Sequence, residues 1–95
     1  MEKVIQLKHP TGKKAVTMER KKYEAVRSPL LACLKTRGES THKEIVQAIT
    51  EYFRRNNTEF EGSIEWHTEW VKLDLEARNE IKRTNARSSV RFALV

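Results

Sequence analysis

The side chains with the clearest chemistry in this chain are cations. Lys82, Arg83, Arg87 and Arg91 fall in residues 81–95 with no acid among them, and Lys13, Lys14, Arg20, Lys21 and Lys22 form a second group near the start. Guanidinium forks, ammonium groups and the hydroxyls of Ser88 and Ser89 beside Arg87 suit phosphate oxygens, so both groups are candidate nucleic-acid contacts. The competing reading is plain solvation. Cations on an edge hairpin keep its strands from pairing with other chains, and basic runs elsewhere are ordinary surface. Arg20, Lys21 and Lys22 open a helix whose dipole they oppose, a small cost that argues for some use.

Nothing comparable points to catalysis. His9, His42 and His67 lack paired metal-ligand spacing and read as surface residues; His67 and Asp74 stand two helical turns apart, too far for a relay. No glycine-rich phosphate loop, nucleophile elbow, His-Glu metalloprotease run or CxxC pair occurs. The expectation is a binding protein with no catalytic residue, metal or cofactor. Cys33 is the single cysteine, and beside Leu30, Leu31 and Leu34 it reads as a buried small hydrophobe. Trp66 and Trp70 could stack on bases, but at helical spacing with Leu73 they read as core aromatics.

The chain has 95 residues, 38% apolar and 34% charged, enough for one domain with one core. No apolar run reaches the length of a membrane span, and the first residues hold no secretion-type segment, so the expected location is the cytoplasm, with no membrane partner. Net charge is +6, unevenly spread: +7 over residues 1–38, −5 over 39–80 and +4 over 81–95. A chain basic at both ends and acidic between them constrains any nucleic-acid geometry.

The elements that must position these groups can be read in order. Val4–Leu7 and Ala15–Met18 are short strand candidates around the turn residues His9-Pro10-Thr11-Gly12. Residues 19–37 read as a first helix, with Tyr23, Val26, Leu30 and Leu34 on one face and Gly38 as the stop. Ser28-Pro29 leaves two forms open, one kinked helix or two abutting ones. Thr41-His42-Lys43-Glu44 is a capping box opening a second helix with an Ile45, Val46, Ile49, Tyr52 and Phe53 stripe. Residues 54–62 are a loop with Phe60 turned inward. Ser63 caps a third helix reaching Arg78, with two apolar stripes: Trp66, Trp70, Leu73 and Ala77 on one side, Ile64, Val71 and Leu75 nearly opposite. Such a helix is sandwiched, between core and hairpin or between core and a partner subunit. Two strands follow, residues 80–84 and 89–95, around the turn Asn85-Ala86-Arg87-Ser88.

Three helices followed by a basic hairpin resemble the winged-helix-turn-helix superfamily, in an α+β fold whose third helix often reads the DNA major groove. The resemblance implies that residues 44–53 are the supporting helix, 63–78 the recognition helix and 81–95 the wing. The whole chain is also similar to a group of short bacterial proteins of unknown function, through His9-Pro10-Thr11-Gly12-Lys13, Glu61-Gly62-Ser63 and the run from Glu69 to Arg78. That likeness bears on fold and source, and adds nothing about chemistry.

Two features depart from the superfamily pattern. The link between the second and third helices is longer than a tight helix-turn-helix allows. The remaining face of the third helix carries Glu65, Glu69, Lys72, Glu76 and Glu80, which reads as a solvated stripe laced by Glu69–Lys72 and Lys72–Glu76 pairs. Carboxylates there oppose entry into a groove lined by phosphates. Two functions therefore stand: duplex-DNA binding through the wing and the first-helix cluster, or a protein–protein or dimerisation module on the same fold.

Overall fold

The computed structural model describes residues 3–86 and 89–95. Strands β1 (Val4–Gln6) and β2 (Thr17–Glu19) pair antiparallel, with Ile5 opposite Met18. The Leu7 amide extends this pairing by donating to the Val16 carbonyl at 3.1 Å. Helices α1 (Arg20–Arg37), α2 (His42–Arg55) and α3 (Ile64–Ala77) follow, then β3 (Ile81–Ala86) and β4 (Ser89–Leu94). The architecture is α+β: three helices and two small antiparallel sheets.

Pro29 lies inside α1, which is one helix from Arg20 to Arg37. Proline costs such a helix about 3 kcal/mol by removing a hydrogen bond and crowding the preceding turn. Against this stands the burial of Tyr23, Val26, Leu30, Cys33 and Leu34 along one continuous face, with Pro29 itself buried among them. Splitting the helix would break that face. Gly38 ends α1 at a φ of 79°, its amide donating to the Leu34 carbonyl at 3.0 Å.

The capping box of α2 forms as its sequence dictates. The Thr41 amide donates to Glu44 Oε1 at 2.8 Å, and the Glu44 amide donates to Thr41 Oγ1 at 3.2 Å. Ile45, Ile49 and Phe53 turn into the core, while Tyr52, expected in the same stripe, is exposed. Phe60 does turn inward: it stacks on Phe53 at 5.2 Å and meets the His67 ring edge-on at 4.9 Å. Ser63 Oγ accepts from the Trp66 amide and opens α3.

Asn79, at a φ of 61°, reverses the chain between α3 and β3, a left-handed conformation that asparagine adopts more readily than most residues. The hairpin pairs Ile81 with Leu94 through to Ala86 with Ser89, so its strands reach further toward the turn than the turn residues suggest. Ser40, in the α1–α2 connection, pairs with Phe92 on the other edge of β4 through backbone hydrogen bonds of 3.0 and 2.8 Å. Val26, Leu30, Ile45, Ile49, Val71, Leu75, Ile81 and Phe92 lie in one buried cluster between helices and hairpin.

Candidate interaction surfaces

The hairpin cations differ from one another in what they can reach. Register puts Ile81, Arg83 and Phe92 on the face turned to α3, where Arg83 lies 5.2 Å from the Phe92 ring centre and 3.1 Å from Glu76. Arg91, on the opposite face, leans 3.7 Å from Glu44 at the start of α2. Lys82 is exposed and forms no ion pair among the described residues. Arg87, with Ser88, lies outside the described residues. Two of the four hairpin cations therefore already face carboxylates.

Lys13, Lys14, Arg20 and Lys21 are exposed, and Lys22 is half-buried, its ammonium 5.9 Å from the Phe60 ring centre. None of the five forms an ion pair among the described residues. Glu19 and Glu24 share this end of α1, and Glu59 and Glu61 border the hollow beside Lys21 and Lys22. The hairpin attaches further along α1, at the Arg27–Glu80 ion pair and at the Ser40–Phe92 bridge. The 18 residues of α1 span about 27 Å, so the start of the helix and that bridge lie at opposite ends of it.

The faces of α3 are assigned differently from the sequence expectation. Its core face is Ile64, Thr68, Val71 and Leu75, and the Trp66 stripe points away from it by about 200°. Trp66 is 45% exposed; Leu73 and Ala77 are half-buried, and Trp70, also half-buried, packs against the core cluster as its spacing suggested. Lys72, expected in solvent, is 3% exposed, and His67 is buried as well. Tertiary partners explain the reversal. Lys72 Nζ donates to His42 Nδ1 at 2.9 Å, sits 3.3 Å from Glu69 and lies 4.1 Å over the Phe92 ring. His67 Nδ1 donates to the Ser63 carbonyl at 2.7 Å. The expected Glu69–Lys72 pair is present, whereas Glu76 turns to Arg83.

Asp74, which the sequence offered only as a partner too distant for His67, has no exposed surface. Its carboxylate accepts from the Lys8 amide at 2.8 Å, the Tyr23 hydroxyl at 2.6 Å and Arg78 Nε at 2.9 Å. Burial, and then the adjacent Asp74, push the Tyr23 hydroxyl well above its ordinary pKa. Burial, and then the neighbouring Lys72, hold the His42 imidazole below its usual value; burial likewise lowers the Lys72 ammonium. Both clusters bind elements together: Asp74 joins α3 to α1 and the β1–β2 connection, and Lys72 joins it to α2 and β4.

Among the described residues no helix is long and apolar enough to cross a membrane. The molecule is thus an α+β protein whose surface offers basic patches at two places and an apolar, acid-bordered helix face. The chain belongs to a family of unknown function (DUF6958), whose family model matches residues 4–92. Comparison with curated proteins and with solved structures found no match.

Proposed function

We propose that the chain is a winged-helix-like protein-interaction module that engages its partner through the outward face of α3. The order of elements supports the winged-helix part, as does the short bridge from the α1–α2 connection to β4 beside the hairpin. The observation that carries the interaction part is Trp66, a large aromatic residue 45% exposed on the helix that would otherwise read DNA. Exposed tryptophan is characteristic of interface anchors. Glu65 and Glu69 beside it repel phosphate but leave a protein partner free to bind.

A second reading, duplex-DNA binding through Lys13, Lys14, Arg20, Lys21, Lys22 and Lys82, keeps support from their lack of ion pairs among the described residues. Photo-crosslinking in cells separates the two. A crosslinking amino acid at position 66 should give discrete protein adducts, and the same group at position 82 few or none. Nucleic-acid adducts from position 82, with none to protein from position 66, would reverse the order of the readings.

A further inference from the structure

The contact between Lys72 and His42 exists in only one protonation state of the ring. Lys72 is 3% exposed and places Nζ 2.9 Å from His42 Nδ1. An ammonium has no lone pair and can only donate, so Nδ1 is the bare nitrogen and the ring proton sits on Nε2. Glu69, 3.3 Å from Nζ, and the Phe92 ring, 4.1 Å from it, both favour the charged form of the lysine. Three elements meet here: His42 is the first residue of α2, Lys72 lies on α3 and Phe92 on β4. The His42 side chain is 29% exposed, so protons reach the ring from solvent.

We propose that His42 is a proton-sensitive latch: the neutral ring holds Lys72 and closes the α2–α3–β4 junction, and the protonated ring releases Lys72 and loosens β4. Protonation turns Nδ1 from acceptor to donor and sets one cation against another where a hydrogen bond stood. Glu65, 4.0 Å from Nε2, and Glu69 pull the other way by favouring a charged ring. Burial, and then Lys72, outweigh them and hold the imidazole below its ordinary value of 6.5. Arg83 of β3 and Glu76 of α3 act on Lys72 in opposite senses and are paired with each other. On α2 itself, Lys43 is exposed, and Glu44 is engaged by the Thr41 amide and Arg91. The opened ring takes its proton near 6.5 and the closed ring resists it, so the junction is closed above that pH and weakens as pH falls through the lower value. The Ser40 bridge and the pairing with β3 still hold β4, so the change is a local loosening. It is independent of what the chain binds.

The test is NMR on the full chain. Imidazole nitrogen shifts should show His42 with a bare Nδ1 near neutral pH and a titration midpoint below 6.5. Amide protection in β4 should fall about threefold or more between about pH 7.5 and about pH 5. His42→Asn sets an amide oxygen where Nδ1 stood and does not titrate, so it should keep the neutral-pH protection and abolish its pH dependence. His9 and His67 remain in that variant, and a fall that persists there overturns the latch. So does a ring proton on Nδ1, a midpoint at or above 6.5, or β4 protection that stays level while His42 titrates. Lys72→Met, an apolar side chain at a buried position, gives a reading that does not depend on His42→Asn folding. It removes the neighbouring cation, so the His42 midpoint should rise, and an unchanged midpoint overturns the proposal.

Discussion

The Asp74 carboxylate accepts from the Lys8 amide, the Tyr23 hydroxyl and the Arg78 guanidinium, so one side chain on α3 holds the β1–β2 connection and α1 in place. Asparagine in its place keeps one acceptor oxygen but loses the charge and sets an NH2 group against a donor. Asp74→Asn should cost about 3 kcal/mol, the lower end for breaking a buried charge pair, because Arg78 can turn to water. Tyr23→Phe, which leaves Asp74 still paired, should cost about 1–2 kcal/mol. Urea unfolding checks both, and the reverse order would remove Asp74 from its central place. The raised Tyr23 pKa adds a pH signature. An unfolded chain releases this phenolic proton near its ordinary pKa of 10.0, whereas the folded chain retains it. Stability should therefore fall as pH rises past about 10, and less steeply in Tyr23→Phe. None of this was visible in sequence, because Asp74 meets Lys8 and Tyr23 across separations of 66 and 51 residues.

Where an element's boundary depends on a local signal, the sequence carried it. Thr41 with Glu44, Ser63 and Gly38 mark helix ends through hydrogen bonds that span only a few residues. Thr41→Ala should cost about 1 kcal/mol, measured by thermal unfolding, as the loss of a helix N-cap does. Since Glu44 also faces Arg91, the same substitution should loosen the hairpin, read as faster amide exchange in β4 than in β1. An unchanged β4 would mean that the Arg91 contact does not hold the hairpin. Orientation of α3 was the part not legible. Hydropathy counted Trp66, Trp70, Leu73 and Ala77 as a core stripe and Lys72 as solvent-facing. The helix instead buries Lys72 and Asp74 beside its other apolar stripe, where His42, Lys8 and Tyr23, all distant in sequence, meet their polar atoms, and buries His67 with Ser63 one turn back as its partner. Of the displaced stripe, Trp66 is the residue left exposed.

For the molecule as a whole, the question is whether its positive charge acts as one surface. Composition makes the chain basic, but folding distributes that charge between α1, whose first turns hold Arg20, Lys21 and Lys22, and a hairpin attached further along the helix. Arg83 and Arg91 face Glu76 and Glu44, Arg27 faces Glu80, and Lys72 is buried, so these four cations are engaged within the fold. An arrangement of this kind supports loose electrostatic association but not tight, oriented contact with several phosphates. Duplex DNA should accordingly bind weakly at physiological salt, more weakly than about 10 μM, with little sequence preference. Titrations across a salt series decide the matter. Engagement of four phosphates at once would give a log–log slope near about −3.6. A slope that steep, together with micromolar or tighter affinity at physiological salt, would show the two cationic groups acting together and would place DNA ahead of a protein partner.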